Sequence, residues 1–252
     1  MINQKIFIGA GGIYRNYKLN NLSSKSWKLI WKPVCASTEI ELSNWIQEEP
    51  VKENQPKAIF ASCQRFGKGQ IGRYWHSPKG GVWVSSAIKK KGLGENNSHL
   101  YGLAVALALV ERIEKIGVNV KIKWPNDLYV DGKKLAGVLP RLFFRGENLR
   151  LLRAGIGLNV FNSVPIEGVS LKNILGKSKL NLNFWSSEVL FAIERSLDFL
   201  ENKKYLCSQV EEKLWSKKYI DKVTGNEFDV KGIDADGKLI LLINGKEKTL
   251  ST

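Results

Sequence analysis

A short hairpin signal near the middle of the chain constrains its fold more than any other feature. The sequence Lys-Trp-Pro-Asn-Asp at 123–127 is followed by Lys-Lys-Leu-Ala-Gly at 133–137, and the turn pair Asp131-Gly132 lies between two strand-forming runs. An Asp-Gly pair in this setting predicts a tight β-turn, so the two lysine-bearing segments should meet in one antiparallel sheet. Lysines on either side of a short turn can face a single anion. The stretch therefore predicts a sheet that binds a negatively charged molecule.

A second polar segment, Gly-Lys-Gly-Gln-Ile-Gly-Arg at 67–73, follows a predicted strand. Glycines let the backbone approach a ligand and present successive N–H groups, and Lys68 and Arg73 add positive charge. A surface loop without a ligand can have the same composition, so both interpretations stand at this point. The sequence contains neither a Gly-x-x-x-x-Gly-Lys-Ser/Thr pattern nor a Gly-x-Gly-x-x-Gly pattern in a βαβ context. P-loop and Rossmann nucleotide sites are therefore not supported.

Two further positions and one run are candidates for chemistry. A lysine at the end of a buried strand needs a counter-charge, which predicts that Lys123 meets a ligand carboxylate or phosphate, unless it is simply exposed in a turn. Asp127 can pair with that lysine, contact a metal or act as a base toward an attacking amine. The run Gly-Ile-Gly-Leu-Asn at 155–159 suits the close approach of a flat ring or sugar, or a β-bulge.

Composition excludes several classes of protein. A chain of 252 residues with 43% hydrophobic residues can bury a full core as one large domain, or as one domain with a small appendage. No apolar run reaches the roughly 18 residues of a membrane span, and the N-terminus lacks a signal-peptide pattern, so we expect a soluble protein. Cys35, Cys63 and Cys207 have no metal-ligand spacing. We expect free thiols in a reducing cytoplasm, with Cys63 structural rather than reactive.

The formal net charge of +15 admits polyanions as partners but identifies none. Residues 1–38 contain six Lys or Arg and no Asp or Glu. The first 25 of them show no clear periodicity, and we expect a partly mobile, solvated basic tail rather than a nucleic-acid-binding arm. No helix-turn-helix, zinc-finger or RNA-recognition pattern is present to support the arm.

Periodicity and turn signals predict an α+β fold, a mixed or antiparallel sheet with helices on it. The predicted elements are strands at 27–36, 57–63, 81–88, 118–124 with 128–130, 135–144 and 149–160, and helices opening at Ser37 or Thr38 and spanning 98–117 and 184–200. The helix at 98–117 is apolar on most sides and should be well buried. Turn signals at 224–226, 236–237 and 244–245 predict a small β-domain at the C-terminal end.

Five separated motifs of this chain resemble, in order and spacing, those of biotin-protein ligases. The first is Ser37-Thr38, and the second is Gln64 together with the loop 67–73, Trp75 and Ser77-Pro78. The other three are the 123–127 motif, Lys134 to Gly137, and Gly155 to Asn159. The resemblance implies a class II synthetase-like biotin/lipoate ligase core, with a mixed or antiparallel sheet flanked by helices and a small SH3-like β-domain. The implied division is a basic extension at 1–27, a catalytic domain at 28–215 and the SH3-like domain at 216–252.

The resemblance implies a two-step ligase. Biotin reacts with ATP in the presence of Mg²⁺ to give biotinyl-5'-AMP and pyrophosphate, and a lysine of a biotin carrier domain, such as that of acetyl-CoA carboxylase, then attacks the anhydride. The implied enzyme is cytoplasmic, a monomer or homodimer, without membrane association. It looks like the monofunctional type, because residues 1–27 lack the pattern of the winged-helix domain of bifunctional members, and we expect no specific DNA binding.

The resemblance also implies a role for each motif residue. Lys123, Asp127 and Arg73 are the implied catalytic residues. The implied biotin-binding residues are Ser37, Thr38, Gln64, Gly67, Lys68, Gly69, Lys123 and Gly137. The implied nucleotide-binding residues are Lys68, Gly69, Gln70, Arg73, Trp75, Asn126, Lys134 and Asn159. No metal ligand from the protein is implied.

Two places depart from the family pattern. The family loop usually has Arg at the positions of Lys68, Gln70 and Ile71. A charge-assisted hydrogen bond contributes about 1.5–3 kcal/mol against about 1 kcal/mol for a neutral one, so Gln70 predicts a leakier adenylate intermediate. Glu39 stands where the family commonly has Asn, and its role is open.

Two other functions compete with this interpretation. A lipoate-protein ligase or octanoyltransferase shares the fold and also uses a lysine acceptor, but it predicts weaker agreement at Trp124-Pro125. A basic nucleic-acid-binding protein would account for the net charge. It would leave the ordered set of motifs unexplained.

Overall fold

A computed structural model describes residues 9–20, 25–90, 98–146, 148–176, 180–221 and 223–251. Its centre is a seven-stranded mixed sheet in the order β1-β2-β3-β7-β6-β5-β4, in which β1 and β2 are parallel and the other pairs antiparallel. The strands are β1 (Lys28–Lys32), β2 (Lys57–Ala61), β3 (Val82–Ile88), β4 (Lys121–Lys123), β5 (Asp127–Val130), β6 (Lys133–Arg145) and β7 (Asn148–Leu158). The predicted α+β class is confirmed.

The two faces of this sheet have different partners. The helices are α1 (Ala10–Asn20), α2 (Thr38–Glu48), α3 (Ser98–Glu114), α4 (Leu171–Leu175), α5 (Leu182–Glu201) and α6 (Lys203–Glu212). On β7 the even-numbered residues 152–158 join the main core with α3 and α5. A smaller core of Leu42, Val51, Ile59 and Ala87 lies under α2. Because strand side chains alternate between faces, the odd-numbered residues of β7 face the α2 side.

The N-terminal segment corrects a prediction. Instead of an unpatterned tail, residues 10–20 form α1, whose Ile13 and Tyr17 are fully buried against the main core. Glu194 of α5 accepts hydrogen bonds from the Tyr17 hydroxyl (2.5 Å) and the Trp27 indole (2.9 Å). Because α1 contains two glycines and few apolar residues, hydrophobic periodicity does not predict it. Tertiary packing rather than helix propensity stabilises this helix. The rest of the predicted tail includes residues 1–8 and 21–24, outside the described residues.

The last part of the chain forms a four-stranded antiparallel sheet in the order β11-β10-β9-β8. Its strands are β8 (Lys218–Ile220), β9 (Glu227–Ile233), β10 (Leu239–Ile243) and β11 (Lys246–Leu250). The predicted turns at 225, 237 and 244–245 all contain residues with positive φ. The turn between β9 and β10 contacts the segment between β4 and β5, since the Trp124 indole N–H donates to the Gly237 carbonyl (2.9 Å).

Local sequence accounts for most element boundaries. Ser37 caps α2 as predicted, its hydroxyl accepting from the Glu39 N–H at 3.3 Å. Asp131 and Gly132 have φ of 48° and 76°, which is the geometry that a two-residue hairpin turn requires. The helix at 98–117 is confirmed as α3 and is buried along residues 100–110. Sequence reasoning missed α4 and α6, and the predicted strand at 27–36 ends at Lys32.

Candidate active site

A cavity of about 160 Å³ opens on the α2 side of the large sheet. Its lining comes from α2, the loop 67–75 and strands β3, β5, β6 and β7. The lining residues are Ser37, Thr38, Glu39, Gln64, Lys68, Gly69, Gln70, Arg73, Tyr74, Trp75, Val84, Ser85, Asn126, Asp127, Lys134, Gly137, Val138, Leu139, Gly155, Ile156 and Gly157. Most of the residues that the sequence motifs implicated therefore meet in one place.

Glycines make the floor of this cavity. Gly137 and Gly157 pair across β6 and β7 and face the Trp75 indole. A Cβ on Gly157 would lie 2.5 Å from the Trp75 ring, and one on Gly137 would lie 3.0 Å from it. Only residues without a side chain let the indole lie this close to the two strands, which explains why glycine is needed at 137 and 157.

A closed hydrogen-bond network occupies one end of the cavity. The Gln64 side-chain oxygen accepts from the Thr38 backbone N–H (2.8 Å) and hydroxyl (3.0 Å), and its amide N–H donates to the Ser77 hydroxyl (2.9 Å). The Thr38 and Ser85 hydroxyls are 2.9 Å apart. These contacts hold the first turn of α2 against β3 and fix several polar groups at the cavity wall.

The loop 67–73 folds back on itself beside this network. The Gly69 N–H donates to the Arg73 carbonyl (2.7 Å), and the Trp75 N–H donates to the Gly67 carbonyl (2.9 Å). A Cβ on Gly67 would lie 2.4 Å from the Trp75 carbonyl, so the turn needs glycine there. Lys68, Gln70 and Arg73 all line the cavity, whereas Ile71 is 87% exposed.

Asp127 and Lys134 form an ion pair at the other end. The Lys134 ammonium is 2.6 Å from the Asp127 carboxylate and 4.7 Å from the centre of the Trp75 ring. A β-bulge makes this possible: Leu128 pairs with Ala136 but Tyr129 pairs with Lys134. The extra residue, Leu135, is fully buried in the main core, and Lys134 is turned to the cavity side.

Lys123 is not among the residues that line the cavity in the described part of the chain. Its ammonium lies 4.7 Å from the ring centres of both Tyr129 and Trp215 and 3.3 Å from the Tyr129 hydroxyl. Burial, followed by the charge of Asp127, raises the pKa of Tyr129, so the phenol stays neutral. The backbone N–H of Trp215 donates a hydrogen bond to the Ile122 carbonyl (2.9 Å), which holds Trp215 beside β4. Lys123 is paired with Asp127 across β4 and β5, but its ammonium lies against Tyr129 and Trp215, whereas Asn126 and Asp127 line the cavity.

Three further residues implied by the motifs have supporting positions. Gly67, the first residue of the loop, and Asn159 are not among the described residues that line the cavity. The Asn159 amide donates to the Lys134 carbonyl (3.3 Å) and its oxygen accepts from Asn162 (2.9 Å). Asn126, which does line the cavity, donates from its amide to the Val138 carbonyl. The amides of Asn126 and Asn159 therefore hold the strands that carry Asp127 and Lys134.

The candidate run at 155–159 contributes Gly155, Ile156 and Gly157 to the lining, whereas sequence reasoning missed Tyr74, Val84, Ser85, Val138 and Leu139. Ser85 gives no local signal, because buried serines in an apolar strand are common and the neighbouring Ser86 is outside the lining. Cys35 and Cys207 are buried, and burial raises the pKa of each thiol to about 11. Cys63 is half-buried, and the three cysteines are free thiols as expected. The described residues include no helix long and apolar enough to cross a membrane.

Comparison with known proteins agrees with this geometry. Residues 36–159 match the model of the Biotin/lipoate A/B protein ligase family, a span that contains every residue of the cavity lining. By this match, residues 36–159 form a biotin/lipoate ligase domain. In a structural comparison, the biotin protein ligase from Aquifex aeolicus in complex with biotin and ATP superposes with a TM-score of 0.71 at 26% identity, covering 88% of this chain and 95% of that one.

Three relatives extend the comparison in sequence. Biotin--protein ligase 2 of Arabidopsis thaliana is 28% identical over 235 residues, which are 85% of this chain and 69% of that protein. The bifunctional ligase/repressor BirA of Bacillus subtilis is 35% identical over 136 residues, which are 52% of this chain and 40% of that protein. The biotin--[acetyl-CoA-carboxylase] ligase of Paracoccus denitrificans is 30% identical over 105 residues, which are 40% of this chain and 43% of that protein.

Proposed function

We propose that this protein transfers the AMP group of ATP to the carboxylate of biotin, which releases pyrophosphate. It then transfers the biotinyl group to a lysine of a carrier protein, which releases AMP. The observation that carries the proposal is the position of the Asp127–Lys134 ion pair, which shares one cavity with the Thr38–Gln64 network and the glycine loop. The family of the domain and the named activities of its relatives support the same reaction.

The two ends of the cavity suit the two parts of the reaction. The Thr38–Gln64 end suits the uncharged head group of biotin, which has hydrogen-bond donors and acceptors. The Lys134 end suits the carboxylate of biotin. There the ammonium of Lys134 stabilises the negative charge that develops as the carboxylate attacks the α-phosphate of ATP. Lys68 and Arg73, which line the cavity, add positive charge for the phosphates.

The second step transfers the acyl group to an amine. A lysine amine must lose a proton to act as a nucleophile. Asp127 lines the cavity beside Lys134 and is 25% exposed, so an incoming amine can reach its carboxylate. We assign Asp127 to orienting this amine and accepting its proton.

Magnesium enters this proposal as part of the substrate, MgATP. Within the described residues no three His, Cys, Asp or Glu side chains come close enough together to hold a metal ion. Asp127 is the carboxylate nearest the proposed phosphate position, and it is already paired with Lys134. The carrier domain of acetyl-CoA carboxylase is the acceptor we propose, with residues 28–215 as the catalytic domain and 216–252 as a separate β-domain.

The experiment combines purified protein, MgATP, labelled biotin and a biotin carrier domain. We expect label on the carrier lysine and, without the carrier, accumulation of biotinyl-AMP. Lipoate and octanoate are supplied in parallel, since preferred transfer of either would replace the proposal with a lipoate-type ligase. Nucleic-acid retention with steep salt dependence, together with no biotin-dependent product, would replace it with a binding function.

A further inference from the structure

A buried ion pair closes the cavity at the Thr38 end. The lining includes Ser85, Gly155 and Leu139, which are paired neighbours on β3, β7 and β6. Two residues further along the same face, the next paired row contains Arg153 and Arg141, which are outside the lining. Glu39 lies between these rows. Its carboxylate is 2.9 Å from Arg153 and 3.9 Å from Arg141.

Arg153 is firmly held behind Glu39. One guanidinium nitrogen of Arg153 donates to the Glu39 backbone carbonyl (3.0 Å) and to the Ser43 hydroxyl (3.0 Å), both on α2. The guanidinium also lies 5.0 Å from the centre of the Phe143 ring. Arg153 is 5% exposed, and burial lowers the pKa of its guanidinium while Glu39 opposes that shift. The arginine therefore fixes the position of the Glu39 carboxylate.

The carboxylate of Glu39 can accept further hydrogen bonds. Glu39 is 8% exposed and lines the cavity. Its Oε1 is the oxygen that lies 2.9 Å from Arg153 and is buried there without an aligned hydrogen bond from any described residue, so the other carboxylate oxygen is the one that a ligand can reach. An ionised carboxylate only accepts hydrogen bonds. A buried acceptor of this kind is stabilised by an N–H donor and destabilised by a purely apolar neighbour.

We propose that Glu39, positioned by Arg153, determines specificity by accepting a hydrogen bond from an N–H group of the substrate head group. This inference rests on the proposed function and concerns which acids the site admits. The cyclic urea of biotin presents two N–H donors, whereas the dithiolane of lipoate and the alkyl end of octanoate present none. A site built around a buried acceptor discriminates strongly against an analogue that lacks the donor.

The test compares enzyme variants and substrate analogues in adenylate formation. Glu39→Gln keeps the shape and removes the charge, and we expect it to raise the KM for biotin about tenfold or more with little change in kcat, because a charge-assisted hydrogen bond becomes a neutral one. Glu48→Gln is the matched control. It makes the same change at an exposed position of α2 outside the cavity lining, and we expect the KM for biotin to stay unchanged.

A substrate change makes the test independent of folding. Biotin methylated on its urea nitrogens should bind wild-type protein much more weakly than biotin, and Glu39→Gln should show a smaller difference between the two. The double variant Glu39→Gln with Arg153→Gln avoids an unpaired buried charge if the single variant does not fold. This inference alone would be overturned if the wild-type protein adenylates biotin and both Glu39 variants show the wild-type KM for biotin and the wild-type discrimination against methylated biotin. Failure of the wild-type protein to adenylate biotin would overturn the proposed function.

Discussion

The ammonium of Lys134 lies 2.6 Å from the carboxylate of Asp127, on the cavity side of a β-bulge that no local pattern announces. The same ammonium is 4.7 Å from the centre of the Trp75 ring. One cation is thus shared between a carboxylate and an aromatic face at the mouth of the proposed reaction site. A substrate anion arriving there would meet a lysine that is already held in place.

Removal of this charge should impair adenylation more than removal of Lys123. We expect Lys134→Met to lower the rate of biotinyl-AMP formation about a hundredfold or more, because it takes away a positioned stabiliser of developing negative charge. Lys123→Met should cause a loss at least about tenfold smaller, since its ammonium contacts Tyr129 and Trp215. Single-turnover adenylation measures both variants. Equal losses would return the central role to Lys123.

The glycine floor should tolerate a methyl group at position 155 but not at position 157. A Cβ on Gly157 would lie 2.5 Å from the Trp75 indole, whereas one on Gly155 would lie 3.4 Å from the Leu139 Cβ. We expect Gly157→Ala to displace Trp75 and reduce adenylation about tenfold or more, because small misplacements in an active site are costly. Gly155→Ala, on the same strand and face, should lose less. The comparison needs kinetics and tryptophan fluorescence, and similar effects of the two changes would contradict it.

The glycine loop should hold the intermediate more tightly when it gains a charge. Gln70 lines the cavity, so Gln70→Arg should slow the dissociation of biotinyl-AMP about tenfold. Ile71→Arg is the control, because Ile71 is 87% exposed and points away from the lining. Dissociation is followed by chasing labelled intermediate with unlabelled biotinyl-AMP. Equal rates in wild type and Gln70→Arg would show that residue 70 does not contact the intermediate.

Acid should destabilise the protein through Glu49 at the end of α2. Hydrogen bonds from Lys28 and then Lys57 lower the pKa of Glu49 from 4.5 to about 2, against the opposing effect of burial. A carboxyl with a lowered pKa in the folded state stabilises the protein above about pH 4.5, and that contribution disappears as the pH falls toward 2. We expect the free energy of unfolding in urea to fall less over this range in Glu49→Gln than in wild type. Glu48→Gln, at an exposed neighbouring position, should behave as wild type.

The chemistry of the site is largely a property of local sequence. The turn at Asp131-Gly132 and the cap at Ser37 each follow from backbone requirements that few residues can meet. Apolar runs bounded by turn signals predicted the strands of the large sheet, and an Ala- and Leu-rich run that ends at a glycine predicted the buried helix α3. Such features depend on neighbours a few residues apart, which the sequence itself displays.

Tertiary structure decided which of the candidate side chains reach the cavity. Lys123 and Lys134 are equally basic in sequence, but the ammonium of Lys123 lies against Tyr129 and Trp215, and a bulge turns Lys134 toward the cavity. Glu39 meets Arg153 across 114 positions of chain, and α1 is stabilised by contacts with α5. A long side chain takes its direction from whatever distant element packs beside it. That information exists only once the chain has folded.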